Sequence, residues 1–250
     1  MSIYATPNLI VIGAGKAGTT SLHNYLSAHP QIFGSKNKEL MYFSRFMDRG
    51  AEWYKSNFPK QELVKFYFES TPQYSFRDEF PDVPMNIFNF NSHIKIIYIV
   101  REPISRIISH FNHWAQIKNG AYRSLGYSLG KSEHRKYFVD RTRYYYQLEA
   151  YLKYFKSNQI KVVFLEDLNR NFASSLNEVF HFLQVDQLAQ RISQVHHNVA
   201  TDRGAKQRLW TKNDLCPSRL SELYGTLSED VQRLLAHCGK PKNFWGEAYT

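Results

Sequence analysis

Short apolar runs recur along the chain, and amphipathic stretches separate them. The strand-like runs are Leu9–Gly13, Lys65–Glu69, Ile94–Val100 and Ile160–Leu165. The helix-like stretches are Thr19–Ala28, Ala51–Phe58, Ile104–Lys118, Thr142–Lys156 and Ala173–Leu183. Strands that alternate with helices indicate a parallel sheet with helices on both faces. The pattern therefore predicts an α/β fold, a three-layer sandwich around a central parallel sheet, and one domain over residues 1–250.

Two stretches interrupt this periodicity. Residues 119–136, NGAYRSLGYSLGKSEHRK, are rich in glycine, serine and tyrosine, and residues 195–213 are basic and polar. Long irregular stretches in compact domains are often lids or binding loops, so we expect loops at both places. From Pro217 onwards the sequence returns to helical spacing.

The stretch Leu9–Leu22, LIVIGAGKAGTTSL, joins an apolar strand to a glycine-rich turn and a helix that opens on hydroxyl residues. Small residues let backbone amides approach an anion, and a helix N-terminus adds unpaired donors and the positive end of a dipole. Lys16 adds a charge. We therefore predict a P-loop-like site for a phosphate-bearing cofactor, with donors on Lys16, Ala17, Gly18, Thr19, Thr20 and Ser21.

Two familiar phosphate motifs fit this turn incompletely. The dinucleotide fingerprint G-x-G-x-x-G is matched by Gly13, Gly15 and Gly18. It also needs an acidic residue at the end of a second strand about 20 residues further on, where this chain has the loop-like QIFGSKNKE. The Walker A motif needs lysine where Thr19 stands.

A second candidate anion site follows the third apolar run. In YIVREPISRIISHFN a buried strand ends at Arg101, and Pro103 then favours the start of a helix. Arg101 and Ser109 are eight residues apart, which on a helix places them on one face. Arginine gives paired, charged hydrogen bonds to phosphate, so the two residues can hold one phosphate group.

With these two motifs in this order, the chain resembles sulfotransferases that use 3′-phosphoadenosine 5′-phosphosulfate (PAPS). GAGKAGTTSL resembles their 5′-phosphosulfate loop, and VREPISRIISHF resembles their 3′-phosphate motif. The resemblance implies that Lys16 stabilises the leaving phosphate and that residues 17–21 hold the 5′ end. It further implies that Arg101 and Ser109 hold the 3′-phosphate. The basic stretch DRGAKQR would supply further cofactor contacts from Arg203 and Gly204.

The same resemblance extends to the acceptor side. KNKELMYFS resembles the family's KExxFF segment, which implies that Glu39 is the base that removes the acceptor proton and that Lys38 binds substrate. FESTPQY resembles E-K-[ST]-P-x-Y, which implies substrate contacts for Glu69 and Tyr74. Ser70 stands where the family has lysine, which favours an acceptor that is smaller or less acidic than heparan-type chains.

The charge composition limits the classes of molecule that the chain is expected to bind. The chain has 32 lysine and arginine residues against 22 acidic residues, a formal charge of +10 that favours anionic partners. The basic residues are scattered, so we expect a small-molecule or glycan acceptor rather than nucleic acid. His110 and His113 lack further ligands nearby in the sequence, so no metal is expected. Cys216 and Cys238 are read as structural thiols.

The N-terminal sequence, MSIYATPNLIVIG, has neither the basic nor the long apolar region of a secretory signal. No apolar run reaches the roughly 20 residues of a membrane span. From these features we expect a cytoplasmic, bacterial enzyme.

The predicted reaction is sulfuryl transfer from PAPS to a hydroxyl group, with an amine as the lesser alternative, and release of PAP. The predicted acceptor is a small natural product, a glycan or a lipid. Three other functions fit parts of the sequence: an NAD(P)-dependent Rossmann oxidoreductase, a P-loop kinase and a non-enzymatic polyanion-binding module. Binding of PAP, NADH or ATP, and the salt dependence of polyanion binding, distinguish them.

Overall fold

The computed structural model describes residues 3–117, 124–195 and 209–250, and these residues contain one parallel sheet. Its strands are β1 Leu9–Gly13, β2 Ile32–Gly34, β3 Phe66–Ser70, β4 Lys95–Val100 and β5 Ile160–Phe164. They lie in the order β2-β3-β1-β4-β5, and every pairing is parallel. The predicted α/β fold and central parallel sheet are confirmed.

The described helices are α1 Thr19–Ser27, α2 Tyr42–Arg45, α3 Gly50–Lys55, α4 Val83–Phe90, α5 Pro103–Ile117, α6 Leu125–Leu129, α7 Ser132–Phe138, α8 Tyr144–Leu152, α9 Leu165–Arg170, α10 Phe172–Leu183 and α11 Pro217–His237. Each helix-like stretch of the sequence overlaps one of them. The sequence did not predict α4, whose eight residues include Pro84 in the first turn.

The prediction of a loop over residues 119–136 was wrong for most of its length. Helix α6 and the start of α7 occupy it, and residues 118–123 lie outside the described part of the chain. The Ser124 side chain accepts a hydrogen bond from the Tyr127 amide at 3.1 Å and so caps α6. Leu125 and Leu129 are fully buried one helical turn apart, a spacing that the surrounding glycines and serines obscured.

The contacts divide the chain into two compact units, residues 1–100 with 150–197 and residues 101–149 with 198–250. The first unit contains the whole sheet. On one face, alternate residues of the strands pack against Leu22 and Leu26 of α1 and Val179 and Phe180 of α10. The opposite face carries Glu69, which pairs with Tyr54 of α3. Helices therefore lie on both faces of the sheet.

The second unit is helical in its described residues. Arg106 of α5 is fully buried and donates to the Phe138 carbonyl at 3.1 Å and to Thr142 Oγ1 at 2.7 Å. Asp230 of α11 accepts the amides of Tyr145 and Tyr146 at the start of α8, at 3.0 and 2.8 Å. In the described ranges, no helix combines the length and apolarity needed to cross a bilayer.

Candidate active site

Glycine shapes the turn that follows β1. Gly13 and Gly18 have φ angles of 146° and 96°, which side-chain-bearing residues rarely adopt. A Cβ on Gly13 would overlap the Ser75 hydroxyl, and a Cβ on Gly18 would lie 2.9 Å from Leu165 Cδ1. Both positions therefore need glycine for conformation and for space.

The turn leads directly into the N-terminus of α1. Gly18 is the N-cap residue and has no side chain to cap the helix, and the Leu22 amide donates to its carbonyl at 3.0 Å. The amides of Thr19 and Thr20 therefore have no acceptor within the helix. The first turn also contains no acidic residue, so nothing there offsets the positive end of the helix dipole. This arrangement suits an anion.

Two of the predicted donors are used within the protein. The Ala17 amide donates to the Ala14 carbonyl at 3.1 Å and closes the turn, which does not fit its predicted contact with phosphate. The Ser21 hydroxyl is hydrogen-bonded to the phenol of Tyr25. Thr20 is half-buried, and Thr19 is buried.

Lys16 and Glu39, the two predicted catalytic residues, share an unusual backbone conformation. Their φ angles are 69° and 64°, in the left-handed region that residues other than glycine seldom occupy. Such a conformation costs about 1–3 kcal/mol and persists only where the surroundings enforce it, which happens most often at functional sites. Met41 and Gln184 share this region, with φ angles of 53° and 56°, so the outlying backbone angles include both predicted catalytic residues and are not confined to them.

The glutamate segment, which we define as residues 39–41, presents the Glu39 carboxylate at the surface. The side chain is 41% exposed, and Lys38 Nζ lies 2.9 Å from Glu39 Oε1. An exposed carboxylate can accept a proton from a bound hydroxyl group. The neighbouring Lys38 side chain is 23% exposed and adds a positive charge at this surface.

The end of β3 brings the glycine turn and the glutamate segment together. The Glu39 amide donates to the Ser70 carbonyl at 3.1 Å, and the Thr71 amide donates to the Val11 carbonyl of β1 at 3.1 Å. Gly13 lies against Ser75, just beyond β3. Both segments are therefore built on one edge of the sheet, where ligands of α/β proteins usually bind.

Glu69 and Tyr74, predicted to contact substrate, are buried instead, with 0% and 1% of their surface exposed. Glu69 Oε1 accepts the hydroxyls of Tyr54 and Tyr74 at 2.7 and 2.9 Å, and its Oε2 accepts the Thr71 hydroxyl at 2.7 Å. Burial raises the pKa of Glu69, and these hydrogen bonds oppose that shift. Their burial does not fit a substrate contact and assigns both residues to the support of the site.

His23 is a site neighbour that the sequence did not indicate. It lies on α1, and its Nδ1 is 2.9 Å from Ser70 Oγ. Burial, and then the charge of Lys38, lowers the pKa of His23 to about 4. The imidazole is therefore neutral near pH 7 and links the helix after the glycine turn to the end of β3.

The second predicted phosphate site lies in the second unit. Arg101 and Ser109 are both half-buried, and the Arg101 carbonyl accepts the Tyr144 hydroxyl at 2.8 Å. Helix α5 begins at Pro103, so Arg101 precedes it and the prediction of one shared helical face was wrong. Glu102 caps this helix by accepting the Ser105 amide at 2.6 Å.

The predicted cofactor residues Arg203 and Gly204 lie outside the described residues. Within the ranges that the structure describes, no group of three or more histidine, cysteine, aspartate or glutamate residues is placed to hold a metal ion.

Comparison with known proteins gives a consistent match. Residues 6–215 match the family model described as the sulfotransferase domain. Human heparan sulfate glucosamine 3-O-sulfotransferase 5 is 33% identical over 212 residues, which cover 81% of this chain and 59% of that protein. The chain thus spans less than two thirds of the length of this relative.

Two solved structures share the fold. A sulfotransferase from Alicyclobacillus acidocaldarius has a TM-score of 0.76 at 24% identity, over 95% of this chain and 97% of that one. Mouse sulfotransferase SULT7A1, complexed with PAP, has a TM-score of 0.58 at 14% identity, over 94% of this chain and 89% of that one. At these identities the two structures support the fold alone.

Proposed function

The chain belongs to the sulfotransferase domain family, and from that premise we propose that it transfers a sulfuryl group from PAPS to a hydroxyl group of a glycan-type acceptor. The observation that carries this proposal is the arrangement at the end of β3. There a glycine-built turn with an uncapped helix N-terminus adjoins a segment that exposes the Glu39 carboxylate.

The glycine turn fits the 5′ end of the donor. Gly13 and Gly18 let the turn pack closely against Ser75 and Leu165, and the amides of Thr19 and Thr20 begin α1 without an acceptor in the helix. PAPS supplies the sulfuryl group. The Thr19 and Thr20 amides bind the anionic 5′ end, and Lys16 offsets the negative charge that develops on the leaving phosphate.

Glu39 acts as the general base in this proposal. Its carboxylate is accessible to an acceptor and takes the proton of the attacking hydroxyl group. Lys38 binds the acceptor beside it, and Arg101 and Ser109 bind the 3′-phosphate of the donor. Arginine suits the last task because its guanidinium forms paired hydrogen bonds with phosphate.

Two observations support a glycan acceptor. The human relative is named for action on heparan sulfate glucosamine. In this chain the exposed Arg49 lies just after α2, and its guanidinium lies 4.4 Å from the centre of the half-buried Phe46 ring and 4.7 Å from that of the half-buried Trp53 ring. A guanidinium forms charged, paired hydrogen bonds with anionic groups such as the carboxylates of an acidic glycan.

Calorimetric titration with PAP, ATP and NADH tests the donor. We expect PAP to bind most tightly of the three. Arg101→Ala should weaken the binding of PAP more than the binding of adenosine 5′-phosphosulfate, because the latter lacks the 3′-phosphate. Tighter binding of NADH or ATP would favour the oxidoreductase or the kinase and contradict the proposal.

A mass-spectrometric screen with PAPS tests the acceptor. We expect oligosaccharides of the heparan type to gain a sulfo group, in the presence of EDTA as well as without it. Transfer to phenols, sterols or lipids but to no oligosaccharide would contradict the glycan assignment while leaving sulfuryl transfer intact.

A further inference from the structure

Three consecutive amides of the glutamate segment donate to three consecutive residues at the end of β3. The Glu39 amide bonds to the Ser70 carbonyl at 3.1 Å, and the Met41 amide bonds to Thr71 Oγ1 at 3.4 Å. Between them, the Leu40 amide donates to the carboxylate of Glu69. The segment is thus fixed by its backbone, which leaves the Glu39 side chain exposed.

The carboxylate of Glu69 is the common acceptor of this region. It accepts hydrogen bonds from the hydroxyls of Tyr54 on α3, of Tyr74 and of Thr71, in addition to one from the Leu40 amide. Tyr74 in turn accepts the Phe43 amide at 3.2 Å. One fully buried side chain therefore joins the end of β3 to the glutamate segment and to the two short helices that follow it.

The backbone of the glutamate segment needs such support. Glu39 and Met41 both lie in the left-handed region, with φ angles of 64° and 53°, and neither is glycine. A strained backbone of this kind persists only when its surroundings over-determine it. The hydrogen bonds that the amides of this segment donate to Ser70, Glu69 and Thr71 are the contacts that enforce it.

We propose that Glu69 is a positioning residue, which holds the glutamate segment through Thr71 and Leu40 so that Glu39 faces the acceptor hydroxyl. This inference rests on the proposed role of Glu39 as the base. A buried carboxylate is costly unless every lone pair is satisfied, and an apolar side chain would fill the same space with less desolvation. The buried Glu69 offsets this cost by orienting the exposed Glu39.

Thr71 gives the sharpest test, because one substitution keeps its hydroxyl and another removes it. Thr71→Ser keeps the group that bonds Glu69 and Met41, whereas Thr71→Val keeps the shape and loses it. We expect Thr71→Val to lower kcat about tenfold or more while the KM for PAPS stays unchanged, the loss of about one charged hydrogen bond. Thr71→Ser should restore most of kcat.

Two tyrosines extend the test. Tyr54→Phe removes a hydroxyl that donates to Glu69, and Tyr151→Phe removes a hydroxyl that donates to the Tyr74 carbonyl at 2.8 Å. Both rings are buried, so both variants lose one internal hydrogen bond. We expect kcat to fall in Tyr54→Phe and to be retained in Tyr151→Phe. Thermal unfolding checks that the two variants are equally stable.

Amide hydrogen exchange gives a readout that does not depend on turnover. The Leu40 and Met41 amides should exchange faster in Thr71→Val than in Thr71→Ser. Equal kcat in these two variants, in an active wild-type enzyme, would overturn the positioning role. If the wild-type protein transfers no sulfuryl group, the proposed function fails, and unchanged exchange would then overturn the support of the segment by Glu69.

Discussion

The glycine turn after β1 and the glutamate segment after β2 reach the same backbone conformation by different means. The turn places Lys16 at a φ of 69° between Gly13 and Gly18, residues that adopt positive φ at little cost. The glutamate segment contains no glycine and holds Glu39 at a φ of 64°. It relies on hydrogen bonds that its amides donate to groups at the end of β3. One region is shaped by its own residues and the other by remote buried partners.

This difference teaches where each region is vulnerable. In the turn, an added side chain at Gly13 or Gly18 would meet Ser75 or Leu165 and should disturb the proposed donor site. In the glutamate segment, loss of a buried hydroxyl thirty positions away from Met41 in the sequence should have the larger consequence. Variants of the two regions should therefore differ in the quantity that they change, which is donor affinity, turnover or stability.

Glu39→Gln should have the largest effect. It removes the proposed base and leaves the backbone hydrogen bonds of the segment, so kcat should fall by about 10³-fold with PAP affinity unchanged. Glu62→Gln, at another exposed glutamate, is the matched control. Initial rates with PAPS and calorimetry with PAP measure both quantities, and near wild-type turnover in Glu39→Gln would remove it as the base.

Lys16→Ala should lower kcat by about 10²-fold, because it deletes the charge proposed to stabilise the leaving phosphate. Unlike Glu39→Gln, Lys16→Ala should also weaken the binding of PAP. Lys36→Ala removes an exposed lysine from the neighbouring loop and should change neither value. Equal rates for the two lysine variants would show that the charge at Lys16 has no role in the reaction.

His23 links the two regions and should make their stability depend on pH. Its folded pKa of about 4 lies below the ordinary 6.5, so the unfolded state binds the proton more readily between these values. The free energy of unfolding should therefore fall as the pH drops from 6.5 to 4, by up to about 3 kcal/mol relative to His23→Asn. Urea unfolding of both proteins across this range measures the difference. Parallel pH profiles would contradict the lowered pKa.

Gly18→Ala should give the smallest change, a loss of PAP affinity of about tenfold. The new Cβ would meet Leu165 at a φ of 96°, which distorts the N-terminus of α1. Gly239→Ala places a Cβ on another residue of positive φ, 64°, where it would face open space, so it controls for substitution at a positive φ without the clash. Calorimetry with PAP separates them, and equal affinities would argue against the turn as the donor site.

The sequence predicted the glycine turn because that turn is encoded locally. The spacing of Gly13, Lys16 and Gly18, next to an apolar strand, indicated an anion site, and the structure confirms the strand, the turn and the helix. The fold was predictable for the same reason, since apolar runs such as β4 carry the signal of a buried parallel strand. The three-residue strand β2 was too short for such a signal.

The support of the glutamate segment was not predictable in the same way. The hydrogen bonds of Glu69 and of His23 join residues far apart in the sequence, which no local spacing records. Glu69 was therefore assigned to the substrate, although its position inside the apolar strand FYFES indicated burial. The prediction that Arg101 and Ser109 share one helical face was also wrong, because the helix begins two residues later at Pro103.

The central claim is that the glycine turn and the glutamate segment serve one sulfuryl transfer. The most direct test incubates the wild-type protein with PAPS and a heparan-type oligosaccharide and measures PAP and sulfated product together. The account predicts one PAP for each sulfo group transferred, with both lost in Glu39→Gln, while that variant still binds PAP as the wild type does. Release of PAP without transfer to the acceptor, or product formation that survives Glu39→Gln, would contradict it.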